Sequence, residues 1–71
     1  MLRQKVKSSN IATVGYDSMK QELEIEFVTG GIYKYLKVPE DVYINLMTAP
    51  SIGSAVHKLI KGKFEFKQEG K

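Results

Sequence analysis

Leu23, Ile25 and Phe27 alternate with Glu22, Glu24 and Glu26, the period of two that marks an antiparallel strand with one face in a core and the other in water. Gly30-Gly31 follows and permits the positive φ values that hairpin turns demand, so Ile32 to Val38 is predicted to return antiparallel to Leu23–Phe27. Two registers are open. A two-residue loop sets Phe27 opposite Lys34 and Ile25 opposite Leu36, which leaves Tyr33 and Tyr35 with the glutamates. A three-residue loop with a glycine bulge sets Phe27 opposite Tyr33, Ile25 opposite Tyr35 and Glu26 opposite Lys34. The second is favoured, because it gathers apolar partners on one face and opposite charges on the other.

Upstream, Leu2 to Lys7 reads as an edge strand guarded by Arg3, Lys5 and Lys7. Ser8-Ser9-Asn10 supplies a turn, and Ile11 to Tyr16 forms a strand with Ala12, Val14 and Tyr16 on one face. Asp17 to Lys20 connects it to the glutamate strand. Downstream of Val38, Pro39 fits a first helical turn, with Glu40 and Asp41 at the positive end of the helix dipole. Val42, Tyr43, Leu46, Met47 and Ala49 recur at helical spacing until Pro50 ends the run. Ser51 is placed to cap a second helix whose buried stripe is Ile52, Ala55, Val56, Leu59 and Ile60, with Gly62 as a left-handed stop. Phe64 and Phe66 alternate with Lys63, Glu65 and Lys67, predicting a short final strand, and residues 68–71 read as a loose tail. The expected fold is α+β: an antiparallel sheet of four or five strands with two short helices packed on one face, as a single domain over 1–71.

A chain of 71 residues buries only about 60% of its unfolded surface, which leaves little core to spare. It contains no cysteine, so disulfides and thiolate metal sites cannot supplement that core. No run approaches the roughly 20 apolar residues that span a bilayer, and Met1 to Lys5 is followed by polar residues rather than by a signal-peptide core; the expected location is the cytoplasm. The formal charge of +3 permits a polyanionic partner without requiring one.

Ser8-Ser9-Asn10-Ile11, Gly15-Tyr16-Asp17, Leu23-x-Ile25-x-Phe27, the Gly30-Gly31 pair, Tyr33-x-Tyr35, Val38-Pro39 and Ala49-x-Ser51-x-Gly53, taken in order, resemble the KTSC domain, whose central mark is the Tyr-x-Tyr pair. The resemblance covers nearly the whole chain. It implies a domain found alone in small bacterial and phage proteins and at the C-terminus of some lysyl-tRNA synthetases, and that fusion implies RNA binding by association. The resemblance also implies aromatic residues in the second helix, where this chain carries Ala55 and Val56.

The residues themselves admit two readings of the tyrosine pair. Tyr33 and Tyr35 stack unpaired bases while Lys34 and Lys37 hold phosphates, or both rings cover the sheet beneath the helices. Lys58, Lys61 and Lys63 either extend that phosphate surface or complement the helix dipole. Ser51, Gly53 and Ser54 open a helix where an anion can bind, and with Tyr16 they are a weaker nucleotide-binding candidate. His57 is the only histidine, so no histidine metal cluster forms, and no nucleophile stands in a triad setting; neither a cofactor nor catalysis is expected. The leading expectation is a non-catalytic RNA-binding module. The alternatives are a protein-interaction module using a sheet edge or the tyrosine surface, and a small-nucleotide domain enclosed by Tyr16, Tyr35 and the helix start.

Overall fold

The computed structural model describes residues 2–70; Met1 and Lys71, the last residue of the expected loose tail, lie outside them. Five strands, β1 (Arg3–Lys5), β2 (Ile11–Asp17), β3 (Glu22–Phe27), β4 (Ile32–Tyr35) and β5 (Phe66–Gly70), pair antiparallel in chain order to form one sheet. Between β4 and β5 the chain makes α1 (Glu40–Met47) and α2 (Ile52–Ala55), and α2 continues as a wider π-helical turn, Val56–Ile60. Leu46, Ala55, Val56 and Ile60 from these helices pack with Ile11, Val14, Leu23, Ile25 and Tyr35 of the sheet in one core. The opposite face of the sheet is the charged one, where Arg3 pairs with Glu24 at 3.5 Å.

Apolar alternation along β3 sorts its side chains as expected, with Leu23 and Ile25 fully buried. The register of the following hairpin differs. Ile25 lies opposite Tyr33, Leu23 opposite Tyr35, Glu24 opposite Lys34 and Glu26 opposite Ile32. The loop is the expected three-residue bulge turn, but it begins one residue earlier: the Gly30 N–H donates to the Phe27 carbonyl (2.9 Å) and the Phe27 N–H to the Gly31 carbonyl (2.8 Å). Gly30, at φ 111°, holds the left-handed position that a side chain would strain. Lys34 consequently meets Glu69 (3.3 Å) and Glu22 (3.7 Å) instead of Glu26.

A bulge between Ile11 and Thr13 in β2 turns Ile11 inward beside Val14, so Ile11 replaces Ala12 in the predicted apolar face. β1 is shorter than the expected Leu2–Lys7, and its path is tied to Gly15. A Cβ there would lie 2.6 Å from the Arg3 side chain and 2.8 Å from the Leu2 carbonyl oxygen. Gly15→Ala is therefore expected to push β1 off the sheet edge and lower stability by about 1–3 kcal/mol; an unchanged urea midpoint would contradict this role.

β4 ends at Tyr35 rather than at Val38, because Lys37 turns the chain through φ 58°, and Val38 then enters the core from a loop. Pro39 stands one place earlier than expected, as the N-cap of α1. Ser51 caps α2 through the Ser54 N–H, but the second helix does not stay α-helical. The Lys61 N–H donates to the Val56 carbonyl, five residues back, at 3.0 Å, and Gly62 follows in the left-handed region. Residues 68–70, expected to be loose, complete β5: Gln68 pairs with Tyr33 and Gly70 with Ile32. No helix among the described residues is long and apolar enough to cross a membrane.

Candidate nucleic-acid interface

Three aromatic rings run diagonally across the helix-side face, from Phe27 beside the β3–β4 turn, through Tyr33, to Phe66, which lies opposite Tyr35 at the far end of β4. Phe27 meets Tyr33 edge-on (centroids 5.5 Å apart, 90°), and Tyr33 meets Phe66 at 5.3 Å. Phe66 is 54% exposed, whereas Tyr35, one step further under the helices, is 3% exposed. The two tyrosines therefore divide between the sequence's two readings: Tyr35 is core, and Tyr33 stands at the core's open margin. Tyr33 lies flat along its strand against Gly31, where a Cβ would approach a ring carbon to 2.8 Å.

The π-helical turn delivers the charge. Lys61, directly after it, holds its ammonium 5.2 Å from the Phe27 ring centre, within cation–π range. On one side of this Phe27–Lys61 contact lies a hollow of about 390 Å³, bounded by Tyr33, Phe66, Gly62, Thr29 and, on its core side, Tyr35. On the other side lies a second, of about 460 Å³, bounded by Asn10, Ser54, His57 and Lys58. Thr29, Phe27 and Lys61 belong to both, so the two form one groove. Asn10 reaches it because its carbonyl accepts the Val28 N–H at 2.8 Å, which docks the residue 8–10 turn on the hairpin. Among the described residues lining the groove there is no carboxylate.

The expected phosphate-binding lysines separate into groups. Lys58 and Lys61 line the groove, and Lys63 is exposed and directly follows Gly62, which borders the groove. Lys34 is on the opposite face of the sheet with Glu22 and Glu69, because side chains alternate along β4 and Tyr33 takes the helix side. Lys37 lies at the far end of β4, where the next residue, Val38, is bonded to Gln21 of the β2–β3 turn. Neither Lys34 nor Lys37 shares a surface with Tyr33.

The weaker candidate also comes apart. Tyr16 stacks on Tyr43 (4.6 Å, 8°) and donates its hydroxyl to the Val38 carbonyl at 2.6 Å. It lies about 16 Å along β2 from Ile11, the residue that borders the groove near Gly53 and Ser54. Ser51 opens toward a different hollow, on the Pro50 and Leu59 side of α2. Gly53 serves packing: it gives Asn10 and Ser8 room to approach the helix. Tyr16 borders neither hollow of the groove that Tyr35 and the start of α2 line, so the three do not enclose a common pocket.

Phe27, Phe66, Asn10, Thr29 and His57 were absent from the predicted site. A turn placed one residue earlier would have put Phe27 at the strand end, next to the turn, where helices no longer cover it.

Burial raises the pKa of Tyr35 above its ordinary value, with Tyr33 adding to the shift. Tyr16 is raised by desolvation and then by Glu40, Asp41 and Asp17. Lys34 is raised by its hydrogen bond to Glu69 and then by the charge of Glu22. In each case the folded state holds its proton more tightly than the unfolded chain. The associated stability is present below about pH 10 and is lost as pH climbs through the higher folded-state values. Urea midpoints are expected to hold from pH 8 to 9.5 and fall toward pH 11, with a shallower fall in Tyr35→Phe; a wild-type midpoint that does not fall would refute these shifts.

The family model described as the KTSC domain matches residues 7–64. Lysine–tRNA ligase of Nostoc punctiforme is 45% identical over 64 residues, which are 90% of this chain and 11% of that enzyme. The chain thus spans about a ninth of the length of that relative. An uncharacterised protein of Stutzerimonas stutzeri is 38% identical over 61 residues, covering 86% of each. The crystal structure of a KTSC domain protein from Yersinia pestis superposes with a TM-score of 0.92 at 45% identity, covering 94% of both chains. On its sequence and its fold alike, the chain belongs to the KTSC domain family.

Proposed function

We propose that this domain is a non-catalytic module that binds single-stranded RNA in the groove divided by Phe27 and Lys61. The observation that carries the reading is the Lys61 ammonium held 5.2 Å from the Phe27 ring, beside half-buried Tyr33 and exposed Phe66. Unpaired bases stack on aromatic rings with little regard to sequence, and lysines beside those rings neutralise the backbone. A groove without carboxylates suits a polyanion. The similarity to part of a lysine–tRNA ligase, an enzyme named for a tRNA substrate, supports RNA as that polyanion.

Lys58, Lys61 and Lys63 are the cations placed to neutralise phosphates. Three such contacts give a slope of log K against log salt of about −2 for a single strand. Fluorescence anisotropy with a labelled octauridylate, from 20 to 300 mM KCl, is expected to show that slope. Binding that is absent at 20 mM, or insensitive to salt, would overturn the reading.

A further inference from the structure

The groove is not uniform along its length. Its aromatic hollow is bounded by the rings of Phe27, Tyr33, Tyr35 and Phe66 together with Thr29, Lys61 and Gly62, while its second hollow adds the hydrogen-bonding side chains of Asn10, Ser54 and His57. The Phe27–Lys61 contact stands between them as a partition with a positive charge at its crest. Each hollow, about 390 and 460 Å³, falls in the lower part of the range of roughly 300–1,000 Å³ for small-molecule sites. Such a volume takes one nucleobase with its sugar.

We propose that the groove is a site for two consecutive unpaired nucleotides, one base lying on Tyr33 and Phe66, its neighbour beside Asn10 and His57, and the linking phosphate on Lys61. This rests on the RNA-binding reading above and adds its site size. Stacking in the first hollow is indifferent to base identity, whereas the amide and imidazole of the second can hydrogen-bond to a base edge. Any sequence preference therefore belongs to the nucleotide in the second hollow. Charge favours the same arrangement: Lys61 borders both hollows, and Lys58 borders the second, so the phosphates between and after the two bases each have a cation.

The test is a length series of 5′-phosphorylated uridylates with one, two, four and eight nucleotides, measured by calorimetry at low salt. Affinity is expected to rise about tenfold from one nucleotide to two, the effect of one further stacked or bonded base. From two to eight it is expected to rise only by the number of overlapping two-nucleotide positions. A steady gain per added nucleotide out to eight would overturn the two-nucleotide site and leave RNA binding standing. An octamer that does not bind would overturn both. The Asn10→Ala/His57→Ala variant changes two exposed side chains and is expected to abolish the gain from one to two nucleotides. A gain that survives in this variant would also overturn the proposal.

Discussion

Tyr35→Ala is expected to cost about 3–5 kcal/mol, as removal of a buried aromatic ring does, while Tyr33→Ala costs roughly 1–2 kcal/mol. The difference follows from position. Tyr35 is 3% exposed and sits in the core formed with Leu46 and Ile60; its loss leaves a cavity that the helices cannot close without moving. Tyr33 is half-buried at the margin and gives up its edge contact with Phe27 and its tilted contact with Phe66. Set against a stability of roughly 4–11 kcal/mol for a chain of this length, the first loss is a large fraction and the second is tolerated. RNA affinity orders the variants differently. Folded Tyr33→Ala is expected to bind about 5- to 100-fold more weakly, the worth of one stacking face. Urea titration of both variants, followed by anisotropy on Tyr33→Ala, makes the comparison; equal destabilisation by the two substitutions would contradict the division between core and margin.

Lys58→Glu/Lys61→Glu is expected to reduce RNA affinity more than 100-fold at low salt, because two phosphate-facing cations become anions that repel the backbone. Both side chains are exposed, so stability should change by only about 0.5–1 kcal/mol, mostly through the lost cation–π contact with Phe27. Lys34→Glu/Lys37→Glu carries the same change in net charge on surfaces away from the groove. It is expected to leave affinity within a few fold, the residue of a long-range field that salt screens. An equal loss in both variants would mean that net charge, not the groove, governs binding.

The alternation in β3 made the two faces of the sheet legible, and the glycine pair located the hairpin. The register escaped because shifting a hairpin's centre by one residue moves every cross-strand partner by two. A shift of two preserves which face each side chain occupies, so Ile25 opposite Tyr33 and Ile25 opposite Tyr35 satisfy the hydrophobic pattern equally. The bulge at Ala12 escaped for the opposite reason: one extra residue reverses the parity of everything before it, and nothing in Ile11-Ala12-Thr13-Val14 marks the position. The Phe64–Phe66 alternation places β5 three residues too early, over 63–67, because Gln68 and Glu69 carry no apolar signal, yet their backbone completes the free edge of β4. For the site, the basic end of the second helix was legible from Lys58, Lys61 and Lys63. Its partner surface was not. Tyr33 and Tyr35 share a face and an amino-acid type, and what separates them is how far the helices extend over the sheet, which no local pattern encodes.

The most direct test of the central claim is a backbone amide NMR titration with octauridylate at 20 and 150 mM KCl. The groove account predicts salt-sensitive shifts at Asn10, Phe27, Thr29, Tyr33, Phe66 and His57 to Lys63, with Arg3, Glu24 and Lys34 on the opposite face unmoved. Shifts centred on that opposite face, or an unperturbed spectrum at both salts, would contradict it and direct the search toward a protein partner.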